Sequence, residues 1–83
     1  MSKPACILLS QDDNVAVTTV AIEPGHVLPG GAPAATKIEP GHKVAVRAIR
    51  QGEPVVKYAQ AIGRATADIA AGDHVHSHNL AFD

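Results

Sequence analysis

A motif that occurs four times along the chain restricts what these 83 residues can fold into. Each copy has an isoleucine, a glycine three residues later and a branched aliphatic residue after three more. The copies begin at Ile22, Ile38, Ile49 and Ile69. Because glycine adopts positive φ without steric cost, each copy predicts a strand end, a tight turn and the start of a new strand. The intervals between copies are unequal, which excludes a solenoid and leaves a small β fold of short strands.

The segments before and between the copies agree with this prediction. Residues 6–9 form a short apolar run typical of a strand, and residues 11–14 have the Asp and Asn side chains of a turn. The β-branched residues of 15–20 predict a second strand. Residues 29–36 predict a loop, either a surface connector or a flap.

One segment, residues 59–71, leaves two structures open. Its alanines, together with Ile62, Thr66 and Ile69 at helical spacing, favour a helix. Gly63 and the β-forming residues that precede the segment favour a strand. The pattern alone does not decide between them.

Composition limits the domain count and the classes of partner. The length predicts a single domain over residues 1–83, with a core of Ile, Val, Leu and Ala because there are only two aromatic residues. A net charge of −1 excludes the basic surface that nucleic-acid binding needs. The single cysteine, Cys6, excludes an internal disulfide and predicts a small buried apolar side chain. The sequence has neither a membrane-spanning apolar run nor a signal peptide, so we expect a cytoplasmic protein.

Three of the five histidines, His74, His76 and His78, are spaced two residues apart near the end of the sequence. In an extended strand alternate side chains share a face, so these imidazoles would be presented together, whereas a helix would scatter them. Imidazole titrates near neutral pH and ligates metals. An extended segment over residues 74–78 thus predicts a functional edge; the alternative is a solvated strand end whose imidazoles bond only their neighbours.

Five segments, in order, resemble the SAF domain of the altronate and galactarate dehydratase family. They are Asp-Asn-Val-Ala-Val at 13–17, Gly-His-Lys-Val-Ala at 41–45, Val-Lys-Tyr at 56–58, Ile-Gly-Arg-Ala at 62–65 and Gly-Asp-His-Val-His-Ser-His-Asn at 72–79. The resemblance covers roughly residues 11–79. The chain departs from the family at Ala59 and Ala61, where Gly and Pro are usual, so a positive-φ turn at residue 59 is less expected.

The resemblance implies a mostly β, compact β-clip fold, and it implies that residues 62–69 are extended. It also implies the small subunit, or N-terminal domain, of a metal-dependent sugar-acid dehydratase. Such an enzyme removes water to give a 2-keto-3-deoxy acid, uses a divalent metal, typically iron, and needs a large catalytic partner. The alternatives are the small subunit of a sulfolactate sulfo-lyase and a non-catalytic carbohydrate-binding or assembly module. In each case a homo-oligomer is compatible with exposed strand edges.

Read with the resemblance, the histidines and their neighbours become site predictions. His76 and His78 are the predicted catalytic residues, and with His74 they form the predicted metal ligands. The predicted substrate-binding residues are His42, Lys43 and Asn79.

Other residues have simpler interpretations. For His42 the alternative is a turn histidine, as His26 in the first copy of the motif suggests. Arg64, like Lys43, is a candidate for binding a substrate carboxylate, although a lone cation is usually only solvated. We expect Tyr58 to fill the core with its hydroxyl at the rim.

Overall fold

The computed structural model describes residues 4–82 and contains seven strands. They are β1 Cys6–Ile7, β2 Val15–Thr18, β3 Lys43–Ala45, β4 Pro54–Lys57, β5 Gln60–Ala65, β6 His74–Val75 and β7 Leu80–Ala81. One antiparallel sheet has the order β1-β2-β3-β6, and a second has the order β4-β5-β7. Within residues 4–82 no helix is long and apolar enough to cross a membrane. The predicted mostly β class is confirmed.

The four-stranded sheet has an apolar core on each face, because alternate residues of its strands point to opposite sides. Val15, Ala45 and Val75 belong to a core shared with the three-stranded sheet, whereas Ala16 and Val44 belong to the other. The first core is completed by Ile49, Val55, Ala65, Ile69 and Leu80. The second is completed by Cys6, Ile22, Leu28, Ala34 and Ile38. Because the strands of this sheet are covered on both faces, they are rich in small aliphatic residues.

The four copies of the motif form the turns that the sequence predicts. Their glycines have φ between 81° and 98°. The isoleucines pair across the molecule, Ile22 with Ile38 and Ile49 with Ile69, through isolated β-bridges. All four isoleucines are at most 2% exposed. Each bridged pair therefore anchors its turns to one of the two cores.

The open question over residues 59–71 is resolved in favour of extended structure. β5 occupies Gln60–Ala65, and Ile69 lies in a bridge with Ile49. Gly63 explains why a strand forms there: a Cβ at this position would overlap the Ala81 carbonyl oxygen of β7. Close approach of two strands, rather than helix propensity, therefore decides this segment.

Several predicted details are wrong or need shorter bounds. β1 covers only two of residues 6–9, and β2 ends at Thr18, before residue 20. Residues 29–36 form the predicted loop and are mostly exposed, although the Leu28 carbonyl accepts the Gly31 amide and Ala34 is only 3% exposed.

Tyr58 does not fill the core, since it is 71% exposed at the β4–β5 turn. At that turn Tyr58 and Ala59 both have positive φ, at 56° and 59°, despite carrying side chains. The Asp13 carboxylate, which is completely buried, accepts the Tyr58 and Ala59 amides at 2.8 and 2.7 Å. These bonds hold a two-residue turn that the residues would otherwise disfavour.

Candidate functional site

The pairing of β3 with β6 brings two distant parts of the sequence together. Lys43 lies opposite Val75 and Val44 opposite His74. One residue beyond the strand ends, the same register places His42 opposite His76. Since alternate residues share a face, His42, Val44, His74 and His76 are all on one side of the sheet.

The imidazoles of His42, His74 and His76 converge on that side; we call them the histidine cluster. The ring centroids of His42 and His74 are 5.0 Å apart, as are those of His42 and His76, and those of His74 and His76 are 5.4 Å apart. Each ring offers a nitrogen, and these three atoms lie within 4.8 Å of one another. His42 and His74 are half-buried and His76 is exposed, so the cluster opens to solvent on one side.

A side-chain amide shapes the chain directly after β6. Asn79 Oδ1 accepts the His76 amide at 2.9 Å, and Asn79 Nδ2 donates to the His74 carbonyl at 2.9 Å. The Asn79 amide also donates to the His76 carbonyl, which closes a turn over residues 76–79. The prediction that residues 74–78 run straight is therefore wrong beyond Val75, because Asn79 supplies the backbone with partners that compete with a strand.

On the opposite strand, His42 is positioned by the second copy of the motif. Its amide lies 3.2 Å from Thr18 Oγ1, and its carbonyl accepts the Thr18 amide at 2.9 Å. Thr18 is 2% exposed and its hydroxyl also donates to the Glu39 carbonyl at 2.6 Å. The turn before β3 is thus fixed at both ends, which holds the backbone of His42 beside β6.

The surroundings of His74 favour its neutral form. Desolvation by burial, followed by the charges of His42, His76, His78 and Lys43, lowers the pKa of His74 below its ordinary value. His42 Nδ1 and His74 Nε2 are 2.8 Å apart, a hydrogen bond in which one nitrogen donates and the other accepts. At least one of the two rings therefore has an unprotonated nitrogen, which is the form that ligates a metal.

The donor set fits a particular group of metal ions. Three imidazole nitrogens suit Fe, Zn, Ni and Cu, whereas Mg²⁺ and Ca²⁺ prefer oxygen ligands. Cys6 supplies no thiolate, since it is buried in the second core, where desolvation raises its pKa. The donor set of the cluster thus suits a divalent transition metal, and the iron that the sequence resemblance implies remains a prediction.

The structure brings together a set of histidines that differs from the predicted one. His78 lies in the turn with its ring 5.6 Å from that of His74, outside the three nitrogens that converge. His42 is the third member of the cluster instead of His78. From the sequence alone, His42 was either part of the site or a turn residue. The observation that identifies His42 is the register between β3 and β6, which depends on two segments that are distant in the sequence. The catalytic roles of His76 and His78 remain predictions.

The other predicted substrate-binding residues, Lys43 and Asn79, adjoin the cluster in the sequence but do not belong to it. Lys43 is half-buried on the face opposite His42, and desolvation and the nearby Lys57 lower its pKa. The Asn79 side chain is buried and its amide is used in the turn described above. Arg64 donates to the Gly52 carbonyl at 3.1 Å. For His42, Lys43 and Asn79, substrate binding remains a prediction.

Comparison with known proteins extends the resemblance noted in the sequence. Residues 4–83 match the family described as the altronate/galactarate dehydratase SAF domain. The chain is 34% identical over 76 residues to altronate dehydratase of Bacillus subtilis (strain 168), a match covering 88% of the chain and 15% of that protein. It is 59% identical over 39 residues to altronate dehydratase of Escherichia coli (strain K12), covering 47% of the chain and 8% of that protein.

A second group of relatives has a different name. The chain is 49% identical over 39 residues to (2R)-sulfolactate sulfo-lyase subunit alpha of Paracoccus pantotrophus, covering 47% of the chain and 58% of that subunit. In all three relatives the match spans less than two thirds of the relative's own length. The family match, in contrast, covers nearly every residue of this protein. The chain therefore belongs to the altronate/galactarate dehydratase SAF domain family.

Proposed function

We propose that this chain is the small subunit, or N-terminal domain, of a metal-dependent sugar-acid dehydratase and supplies the histidine cluster to an active site shared with a large catalytic portion. The single observation that carries the proposal is the convergence of His42, His74 and His76 at an open edge of the four-stranded sheet. None of the three histidines belongs to either apolar core, so the packing of the cores does not explain why they converge.

The reaction explains the use of such a cluster. Removing a β-hydroxyl from a hydroxy acid needs a base for the proton α to the carboxylate, stabilisation of the resulting enediolate, and help for the leaving hydroxide. A divalent metal, for which we propose iron, supplies Lewis acidity for the last two requirements. In this proposal His42, His74 and His76 would hold it, and His78, whose ring lies 5.6 Å from that of His74, would exchange a proton with solvent or substrate.

The proposal of a large partner follows from the shape of the site and the size of the chain. The cluster is open on one side, and His76 is exposed, so a second surface is needed to exclude water from the reaction. The match covers only 15% of the Bacillus relative, which leaves most of an altronate dehydratase to provide the remaining groups. We therefore expect no dehydratase activity from the isolated chain.

A second candidate function is the small subunit of a sulfolactate sulfo-lyase. It is favoured by the Paracoccus relative, a separate alpha subunit of which the match covers 58%. Elimination of sulfite from a 2-hydroxy acid needs the same α-proton removal, so the cluster serves either reaction. A non-catalytic carbohydrate-binding or assembly module is the third candidate, and it has no evident use for the cluster. The cytoplasmic location and a homo-oligomer remain predictions.

The test is reconstitution with a large dehydratase-type subunit from the same organism, loaded with ferrous iron under anaerobic conditions. Production of a 2-keto-3-deoxy acid from altronate or galactarate, or of sulfite from sulfolactate, distinguishes the first two candidates. We expect His42→Ala and His74→Ala to lower turnover by at least about tenfold, as loss of metal-site groups generally does. His26→Ala is the matched control, because His26 occupies the position of His42 in the first copy and is exposed. Activity of the chain alone, or full activity of both cluster variants, would contradict the proposal.

A further inference from the structure

The tip of the β4–β5 hairpin presents an aromatic side chain that the fold does not use. Tyr58 is 71% exposed, and within residues 4–82 its hydroxyl makes no hydrogen bond. It occupies the first position of the two-residue turn, where a φ of 56° favours Asn, Asp or Gly over a bulky side chain. Neither the exposed ring nor the strained backbone stabilises the isolated chain, which points to a use outside it.

The buried carboxylate of Asp13 fixes this tip and joins it to the segment after β1. Asp13 Oδ2, which accepts the Tyr58 amide at 2.8 Å, also accepts the Ser10 amide at 3.1 Å. Leu9, directly before Ser10, therefore lies close to the tip, and it is 40% exposed. The tyrosine ring and an aliphatic side chain are thus presented to solvent on a fixed backbone.

A guanidinium is held beside the same aspartate. Arg47 Nη2 donates to the Asp13 carbonyl at 2.7 Å and to the Gln11 carbonyl at 3.1 Å. Within residues 4–82 Arg47 makes no ion pair, not even with the neighbouring Asp12, and its Nε and Nη1 atoms have no hydrogen-bond partner. Because two backbone carbonyls already hold this side chain, its remaining N–H groups are preorganised to bind a carboxylate. We call Leu9, Arg47 and Tyr58 the hairpin surface.

The hairpin surface is separate from the histidine cluster. His42 directly precedes β3 and Arg47 follows it, so five residues of nearly extended chain, roughly 15 Å, lie between them. None of the three clustered histidines belongs to the hairpin surface. Substitutions on this surface therefore test partner binding without altering the proposed metal ligands.

We infer that the hairpin surface is the place where the large catalytic portion docks, with an apolar pocket of that portion receiving the Tyr58 ring and one of its carboxylates binding Arg47. The inference rests on the proposed function and names the contact that holds its partner. Tyrosine and arginine are among the residue types enriched at the energetic centre of protein interfaces, and an arginine without a counter-ion is complementary to an acidic group.

The family resemblance favours the large catalytic portion over an unrelated protein. Asp13 and Tyr58 lie in two of the five segments that carry the resemblance, residues 13–17 and 56–58. The match covers 15% of the Bacillus relative, so most of that protein lies outside the matched domain and is available to contact it. A contact within the enzyme explains why the resembling segments include a strained, exposed tyrosine.

The test measures binding of the labelled full chain to a large dehydratase-type subunit from the same organism, at low and at high salt. We expect Tyr58→Ala to weaken binding about 30-fold and Arg47→Gln about tenfold, as loss of central interface residues does. Binding by the wild type should weaken as salt rises, and binding by Arg47→Gln should depend less on salt, an effect that a purely structural role of Arg47 would not produce.

Two matched controls are available in the chain. Phe82, the other aromatic residue, is 70% exposed but follows β7, which pairs with the end of β5 far from the hairpin tip. Arg50 is an exposed arginine in the third copy of the motif. Phe82→Ala and Arg50→Gln should bind as the wild type does. Tyr58→Ala keeps a Cβ, as the adjacent Ala59 has at the same φ, so its urea unfolding and zinc binding should also match the wild type.

The outcomes separate this inference from the proposed function. Unchanged binding by Tyr58→Ala, an equal loss in Phe82→Ala, or an unchanged salt dependence in Arg47→Gln would overturn the docking surface, while an active reconstituted enzyme would leave the proposed function intact. Self-association of the chain that Tyr58→Ala abolishes would also overturn it, because the occupant would then be a second copy. A complex that needs Tyr58 yet forms neither a 2-keto-3-deoxy acid nor sulfite would contradict the proposed function alone, and absence of any complex would contradict both.

Discussion

Replacing Asn79 by alanine tests whether its amide positions the histidine cluster. Asn79 makes two side-chain hydrogen bonds of 2.9 Å to the backbone, one to each of the histidine residues at the ends of the segment 74–76. The residue is only 8% exposed, so water replaces these bonds poorly. At about 1 kcal/mol each, their loss weakens the turn by about 2 kcal/mol.

The effect on metal binding follows from that free energy. If the whole cost falls on the arrangement that brings His76 opposite His42, a divalent transition metal binds about 30-fold more weakly, since 1.4 kcal/mol corresponds to a factor of ten. Asn79→Asp keeps the acceptor for the His76 amide and loses the donor to the His74 carbonyl. Its loss of affinity should be intermediate.

The assay is a zinc titration in competition with a chromophoric chelator, combined with urea unfolding of each variant with and without zinc. Zinc should stabilise the wild type against urea, and it should stabilise Asn79→Ala much less. An Asn79→Ala protein that unfolds more easily yet binds zinc within about twofold of the wild type would refute the reasoning. That result would mean that the cluster forms without the turn.

Two further predictions concern the β4–β5 turn and its buried carboxylate. The positive φ of Ala59 costs a residue with a side chain about 1–2 kcal/mol, and Ala59→Gly removes this cost. Glycine also gives the unfolded chain more conformational entropy, which offsets part of the gain. We therefore expect Ala59→Gly to raise the free energy of unfolding by about 0.5–1 kcal/mol, measured by thermal unfolding. Ala61→Gly, within β5, is expected to lower stability instead, and destabilisation by both would contradict the account. For Asp13, burial alone raises the pKa, but bonds from the Ala59 and Tyr58 amides outweigh it and lower the pKa below the ordinary 3.8. As pH falls, Asp13 is therefore protonated in the unfolded chain before it is protonated in the folded one. Its contribution to the free energy of unfolding is present above pH 3.8 and is lost as pH drops toward the lower folded-state pKa. Urea unfolding of Asp13→Asn should lack this pH dependence.

The turns of this fold follow from local chemistry and were predictable. A glycine after proline or alanine, three residues from an isoleucine, is sufficient to predict the reversals at Gly25 and Gly72. Which isoleucines pair is decided by contacts between distant segments, and the sequence pattern contains no information on that. The same holds for Ala59, whose positive φ depends on a carboxylate 46 residues away in the sequence.

The candidate site was predictable in part for a similar reason. The spacing of His74 and His76 correctly indicates that both imidazoles lie on one side of the chain, since β6 is extended through Val75. Beyond that point the side chain of Asn79 bonds the backbone and a turn follows, so strand periodicity no longer applies to His78, whose ring lies 5.6 Å from that of His74. The inclusion of His42 depends on antiparallel register, which spacing within one segment does not reveal.

Metal stoichiometry of the full chain and three alanine variants tests the central claim most directly. We propose His42, His74 and His76 as the ligands because their ring nitrogens lie within 4.8 Å of one another, whereas the spacing in the sequence predicts His74, His76 and His78. We expect His42→Ala to abolish tight binding of zinc or ferrous iron, while His78→Ala and the control His26→Ala still bind a single ion per chain. Retention of metal by His42→Ala together with its loss from His78→Ala would contradict it.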